Sequence, residues 1–133
     1  MKGLDTNVLV RAVVKDDARQ SGLARRFLER ESTPEEPCFI NRIVLCELVW
    51  VLETSYQYHR DEIADILEKI LLTTEFVVEN ADQALSALRA YRAGRVGFAD
   101  GLLGSTNRAQ GCEITVTFDR DAARLGDFDL LSG

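Results

Sequence analysis

The sequence predicts an α/β fold in which a mostly parallel sheet of about five short strands carries helices on both faces. Short buried apolar runs alternate along the chain with longer segments of helical periodicity. Helix-capping residues or acids follow several of those runs, where a parallel strand would give way to a helix. At 133 residues, 46% hydrophobic and 29% charged, the chain is long enough to bury one core. We therefore expect a single domain over residues 1–133.

The N-terminal segment is predicted to be a strand followed at once by a helix. Residues 2–5 read as a short buried strand that stops at Asp5. Thr6 and Asn7 could then cap a helix that runs through Val14. This arrangement puts Asp5 at the C-terminal end of a strand.

The next segment is predicted as helix, loop, strand and helix. Acids at its start favour a helix from Asp16 or Asp17 to about Glu31, before the loop STPEEP. The run Cys38–Ile40 predicts a second strand, and Asn41 is a typical cap for an apolar helix over residues 42–55.

The middle of the chain carries the clearest helical pattern. Apolar residues at i, i+3, i+4, i+7 and i+8 predict an amphipathic helix over residues 61–73. Phe76–Val78 is predicted as a strand. Asn80 and Gln83 have the spacing of a capping box for a helix to about Ala93, which Gly94 would end.

The C-terminal segment is predicted as helix, strand, short helix and strand. Residues 98–109 read as a helix with Asp100 in its first turn, closed by Gly111. The run Ile114–Phe118 predicts a buried strand, and Asp119 lies just beyond its end. The remaining predicted elements are a short helix over residues 120–125 and a strand near Asp129–Leu131.

Composition excludes several classes of protein. The longest apolar runs fall far short of the roughly 18 residues of a membrane span, and MKGLDTNVLV does not resemble a secretory signal, so we expect a cytoplasmic protein. The net charge of −6 argues against binding nucleic acid mainly through a basic surface. Cys38, Cys46 and Cys112 are odd in number and form no CxxC pair, so they are interpreted as buried small hydrophobes.

Glu47 is the only charged residue in the run IVLCELVWVL, residues 43–52. Burying a lone charge is costly unless it is paired or binds a metal. Asp5, Asp100 and Asp119 also lie at the edges of apolar segments. Because the C-terminal ends of parallel strands share one sheet edge, the four acids are candidates for a common cation site.

Carboxylate clusters suit hard divalent ions, so the predicted cofactor is Mg²⁺, or Mn²⁺. Such ions polarise phosphates and activate water, which favours phosphodiester hydrolysis, with one ion or two. The three aspartates could instead be caps or turn formers. Glu47 could instead be a protonated core carboxyl or pair with Arg11 or Arg42.

Other chemistries find less support in the sequence. His59 is the only histidine, and it lies at a predicted helix junction between Tyr58 and Arg60. No phosphate-binding glycine loop or dinucleotide fingerprint is present. Trp50 could stack on a base, but on an apolar helix it is expected to lie in the core.

Four segments together resemble the PIN-domain ribonucleases, and within them the VapC-type toxins of bacterial toxin–antitoxin pairs. The segments are LDTNVLVR, ELVWVLE, GFADGLLGSTNRAQGC and TVTFDRDAARL, and in order and spacing they cover nearly the whole chain. The resemblance implies a three-layer α/β/α fold and Mg²⁺- or Mn²⁺-dependent endonuclease action on RNA. It also implies a homodimer that is inhibited by a small cognate antitoxin.

Carried over by position, the resemblance makes Asp5, Glu47, Asp100 and Asp119 the catalytic, metal-binding set. Asn7 and Thr117 match positions that support the carboxylates by hydrogen bonds. His59 stands where relatives often have a small polar cap, a departure that concerns helix capping. The family set coincides with the set reached from the residues alone.

Two alternatives belong to other functional classes. A catalytically silent domain of the same fold could bind RNA or a partner protein, although the intact acids disfavour it. A phosphoacceptor signalling domain also gathers acids at strand ends, but it would need a lysine beside them, and Lys2, Lys15 and Lys69 are poorly placed.

Overall fold

The computed structural model describes residues 1–132, which divide into two compact units, Met1–Ala81 and the remainder from Asp82. The elements of the first unit are α1 (Thr6–Val13), α2 (Ala18–Glu31), β1 (Cys38–Ile40), α3 (Arg42–Thr54), α4 (Arg60–Leu72) and β2 (Phe76–Val78). The elements that follow are α5 (Ala81–Arg92), α6 (Phe98–Ala109), β3 (Thr115–Thr117), a 3₁₀ turn (Ala122–Arg124) and β4 (Phe128–Leu130). The helix and strand order agrees with the predicted α/β class.

Each unit contains one parallel pair of strands. In the first, β1 and β2 pair in the register Cys38↔Phe76 to Ile40↔Val78. In the second, β3 and β4 pair in the register Thr115↔Phe128 to Thr117↔Leu130. The parallel direction was predicted correctly: the two helices α3 and α4 connect the members of the first pair, and a 3₁₀ turn lies between those of the second.

The predicted sheet of about five strands is wrong in its strand count, since residues 1–132 contain four strands in two pairs. Residues 2–5 form only an isolated parallel bridge between Gly3 and Phe39. The bridge consists of hydrogen bonds from Leu4 N–H to Phe39 O (3.0 Å) and from Phe39 N–H to Lys2 O (2.8 Å). Extended pairing stops there because Asp5 already caps α1.

Capping explains where the helices of the first unit begin. Asp5 caps α1 and Asp17 caps α2, so the predicted caps Thr6 and Asn7 lie one and two residues inside the helix. Asn41 caps α3 as predicted, and its Oδ1 accepts from Val44 N–H at 2.9 Å. His59 precedes α4, where its N–H donates to Glu62.

Asn80 does not have the backbone of an N-cap. Its φ of 48° is left-handed, whereas an N-cap residue is extended, so the predicted capping box is wrong. The nearby ion pair between Arg42 and Glu79 instead ties the start of α3 to the end of β2. Gly94 and Gly111 do have the positive φ expected of residues that end helices, at 74° and 99°.

The core of the first unit forms where α1, α3 and α4 bury their apolar faces. Its most buried apolar side chains are Leu9, Cys38, Ile40, Leu45, Leu48, Leu52, Ile63 and Leu67. In the second unit, Val96, Ala122 and Phe128 form a buried cluster. There Tyr91 and Phe98 meet edge to face, with ring centroids 6.3 Å apart.

Two expectations about buried side chains are wrong. Trp50 is 64% exposed, because α3 buries the face that carries Leu45, Leu48 and Leu52. Cys112 is exposed in the turn after α6, whereas Cys38 is buried and Cys46 is partly buried. None of the helices in residues 1–132 has the length and apolar character of a membrane span.

Candidate active site

Asp5 is placed by the transition from the Gly3 bridge into α1. Its backbone is extended, and its side chain accepts a hydrogen bond from Thr6 N–H at 2.7 Å. The side chain is exposed. Asp5 is therefore both a helix cap and an accessible carboxylate, so the capping interpretation and a ligand role are compatible.

Glu47 lies in the second turn of α3, and its carboxylate is exposed rather than buried. The expectation that the Glu47 carboxylate is buried among apolar side chains is therefore wrong. The apolar neighbours in sequence point to both faces of α3, with Leu45 and Leu48 buried and Ile43 65% exposed. An isolated charge here carries little desolvation cost.

The proposed ion pairs of Glu47 with Arg11 or Arg42 are not formed among residues 1–132. Arg11 instead contacts Asp16, Gln20 and Tyr56. Arg42 contacts Glu79. Glu47 Oε1 accepts a hydrogen bond from the hydroxyl of Thr6 at 2.8 Å, which ties α3 to the start of α1.

Asp100 and Asp119 lie close enough to influence each other. Asp100 is partly buried in the first turn of α6. Its burial, and secondarily the negative charge of Asp119, raise the pKa of the Asp100 carboxyl above its ordinary value. Two carboxylates that repel each other in this way form an environment that favours a divalent cation.

Asp119 is held by the turn that follows β3. Its Oδ1 accepts from the backbone N–H groups of Asp121 (2.8 Å) and Ala122 (3.4 Å). Thr117 Oγ1 in turn accepts from Asp119 N–H at 3.0 Å. Thr117 thus fixes the backbone at Asp119. Asp121 contributes only its backbone N–H group to this turn, because the side chain of Asp121 pairs with Arg124 at 3.7 Å.

The structure brings together some of the predicted residues. Asp100 lies near Asp119 in the second unit, and Glu47 is joined to α1 through Thr6 in the first. Asn7 is exposed in the first turn of α1 and lines a groove of about 410 Å³ between α1 and α2. Among residues 1–132, no group of three or more His, Cys, Asp or Glu side chains is arranged to hold a metal ion.

Sequence reasoning missed the role of Thr6. It was interpreted as a cap, but it is buried, 7% exposed, and donates to Glu47. A signal was present, because a hydroxyl next to a candidate carboxylate at a helix start can support a second acid. The partner could not be named, since Thr6 and Glu47 are 41 residues apart.

Comparison with known proteins shows the family to which the chain belongs. A family model described as PIN domain matches residues 3–127. A VapC ribonuclease of Aquifex aeolicus (strain VF5) is 30% identical over 126 residues, which cover 95% of this chain and 93% of the relative. With nearly its whole length matched by the family model, the chain belongs to the PIN domain family.

Proposed function

We propose that this protein is a metal-dependent endoribonuclease that hydrolyses RNA phosphodiester bonds, and that it is the toxin of a toxin–antitoxin pair. Membership of the PIN domain family and the likeness to a VapC ribonuclease support the reaction class. The structural observation that carries the proposal is the pair of acids Asp100 and Asp119, in which burial, and secondarily the charge of Asp119, raise the pKa of the Asp100 carboxyl.

The proposed metal-binding and catalytic residues are Asp5, Glu47, Asp100 and Asp119, with Asn7 and Thr117 in supporting roles. The proposal treats residues 1–133 as one domain. A bound Mg²⁺ or Mn²⁺ would supply a polarised phosphate and a more acidic water. Exposed carboxylate oxygens at Asp5, Glu47 and Asp119 are accessible for this purpose, whereas Asp100 is partly buried.

The residues around the acids fix their orientation. Thr6 Oγ1–H occupies one oxygen of Glu47, leaving the other free. The backbone N–H groups of Asp121 and Ala122 occupy one oxygen of Asp119 in the same way. Hydrogen bonds of this kind hold a carboxylate in one position before a cation or a substrate arrives.

Isosteric variants test the proposal. Asp5→Asn and Asp100→Asn remove one negative charge each, so both should reduce cleavage of RNA by purified protein by at least about a hundredfold. Asp82→Asn is the matched control for Asp100, because Asp82 is an exposed acid in the first turn of α5. Chelation of divalent ions should abolish the activity, and added Mg²⁺ or Mn²⁺ should restore it.

The outcomes separate the proposal from its alternative. Equal cleavage by Asp100→Asn and the unmodified protein would overturn the assignment and point to contaminating nuclease. Binding of RNA without cleavage at any Mg²⁺ or Mn²⁺ concentration would favour the catalytically silent binding domain instead.

We further propose a homodimer in the cytoplasm that is inhibited by a small cognate antitoxin. The net charge of −6 favours a basic segment in the partner, since an Arg among the acids would replace the charge of the cation. Co-expression should yield a complex whose Mn²⁺ affinity is reduced, and an unchanged affinity would contradict this mode of inhibition. Light scattering on the free protein should give twice the mass of the chain.

A further inference from the structure

The face of α6 that carries the proposed metal ligand Asp100 also contacts the β3–β4 strand pair. Asp100, Gly104 and Asn107 have the spacing i, i+4, i+7, which places them along one side of the helix. A Cβ atom on Gly104 would lie 2.6 Å from the ring of Phe128, so α6 approaches β4 closely there. Asn107 Nδ2 donates to Thr115 Oγ1 at 2.9 Å, so the same face also contacts β3.

The hydrogen bond between Asn107 and Thr115 lies at the opposite end of this contact from the acids. Asn107 near the end of α6 contacts Thr115 at the start of β3, while Asp100 at the start of α6 lies near Asp119 beyond the end of β3, so the two elements run in opposite directions. Asp100 lies seven residues from Asn107, about 10 Å along the helix. Asp119 lies four residues beyond Thr115, two residues past the end of β3 and after a bend at Phe118. Both acids therefore lie away from this hydrogen bond, Asp100 near the start of α6 and Asp119 beyond the end of β3.

The other hydrogen bonds around the turn do not fix this register as directly. Cys112 N–H donates to Asn107 O at 3.0 Å, which closes the turn after α6. Arg108 contacts Asp127 and the carbonyl of Glu113 through an exposed side chain. Side chains of this kind are long and solvated, so they tolerate small shifts at little cost. The Asn107–Thr115 bond is partly buried and joins two short side chains.

We propose that Asn107 and Thr115 are positioning residues that set the separation of the Asp100 and Asp119 carboxylates, and so the affinity of this acid pair for a divalent cation. The inference rests on the proposed function. A slide of α6 along β3 would move Asp100 relative to Asp119, because Asp100 lies on α6 and Asp119 follows β3. The hydrogen bond opposes that slide.

The affinity of the full chain for Mn²⁺ tests the proposal without RNA, and the electron paramagnetic resonance signal of the free ion measures it. Thr115→Val and Asn107→Ala each remove the bond, and each should weaken Mn²⁺ binding about tenfold, the scale of one hydrogen bond. The double variant should bind Mn²⁺ no more weakly than the weaker-binding single variant, since the two substitutions remove the same interaction. Thr115→Ser keeps the hydroxyl and should restore the affinity.

Cleavage assays provide a second measurement. In Thr115→Val the Mg²⁺ concentration for half-maximal activity should rise, while the rate at saturating Mg²⁺ stays within about twofold, because the acids themselves remain. Thr73→Val is the matched control, since it removes a threonine hydrogen bond, from Thr73 Oγ1 to Lys69 O (2.5 Å), at the end of α4. It should leave both quantities unchanged.

The possible failures are distinguishable. If Asp100→Asn abolishes Mn²⁺ binding but Thr115→Val and Asn107→Ala bind it as the unmodified protein does, the positioning inference is wrong and the proposed metal site stands. If Asp100→Asn itself leaves Mn²⁺ affinity unchanged, the proposed function fails, and the inference fails with it. Additive losses in the double variant would also contradict the inference.

Discussion

The hydroxyl of Thr6, a buried residue, donates a hydrogen bond to Glu47 Oε1 at 2.8 Å. Thr6 follows Asp5 directly, so a single dipeptide supplies one proposed ligand and orients another. Because the two residues are adjacent, the cap of α1 and the hydrogen bond to the second turn of α3 are held by the same short segment.

Thr6→Val keeps the shape of the side chain but removes its donor. The exposed Glu47 can replace that donor with water, so the free energy of unfolding should fall by less than about 1.5 kcal/mol. RNA cleavage should fall by about tenfold or more, because the carboxylate loses its fixed orientation. Rates at saturating Mg²⁺ measure this, with Thr6→Ser as the control that retains the hydroxyl. A Thr6→Val protein of full activity would exclude an orienting role.

Asp100 makes the stability of the metal-free protein depend on pH in a definite direction. Its folded pKa is raised above 3.8 by burial and by Asp119, so its favourable contribution exists below pH 3.8 and is lost as pH rises through the folded pKa. Asn cannot ionise. The unfolding free energy of Asp100→Asn minus that of the unmodified protein should therefore increase from pH 3 to pH 7.

Urea unfolding in the presence of a chelator measures this difference. Asp82→Asn controls for the loss of an acid in the first turn of a helix. A difference that is constant with pH, or that decreases, would show that Asp100 is not destabilised in its ionised form.

At the scale of elements, α6 packs against β4 through a glycine. Gly104 leaves no room for a Cβ, because the Phe128 ring would lie at 2.6 Å and Asp127 Cβ at 3.2 Å. Phe128 is buried against Val96 and Ala122, so its ring has little space to move aside. This close approach is what brings the face of α6 that carries Asp100 onto the strand pair.

Gly104→Ala should destabilise the protein despite the better helix propensity of alanine. The gain in propensity is about 1 kcal/mol, whereas overpacking costs about 1–3 kcal/mol. Thermal unfolding should show a lower midpoint. Gly126→Ala is the control, because nothing lies within 4 Å of its Cβ position, and it should change the midpoint little. An unchanged or raised midpoint for Gly104→Ala would mean that the contact with Phe128 relaxes freely.

Local patterns were sufficient to predict most elements. The periodic apolar residues of α4 and the Asn41 cap of α3 are signals carried within one turn or two, and the helices they predict are present within one residue at each end. Residues 2–5 have the same apolar character as a strand, yet they form one bridge. Strand length depends on a pairing partner elsewhere in the chain, which a local pattern does not contain.

The residues of the candidate site could be predicted from the sequence, but the burial and hydrogen-bond partners of their side chains were harder to predict. The positions of Asp100 and Asp119 followed from the end of one apolar run and the start of a helix, and the structure places them near each other. The environment of Glu47 was wrong, because nine apolar neighbours in sequence cover both faces of α3 and do not reveal which face is buried. The donors Thr6 and Asn107 were missed because each contact depends on tertiary packing.

At the scale of the whole molecule, the single domain over residues 1–133 stays a prediction. If it is correct, unfolding is one cooperative event, so the most protected amides of α3 and α4 should exchange with the same free energy as those of α5 and α6. Hydrogen exchange measured residue by residue tests this. Two distinct limiting free energies, one for Met1–Ala81 and one for the remainder, would contradict a single cooperative domain.

Trp50 gives the protein a built-in optical reporter. It is the only tryptophan in the chain, it is 64% exposed, and it lies three residues after Glu47 on α3. Selective excitation of this indole therefore observes a single position, one helical turn from a proposed ligand. Its emission can follow titrations with RNA, with a partner protein or with a luminescent lanthanide that accepts its energy, and no dye or additional cysteine has to be introduced.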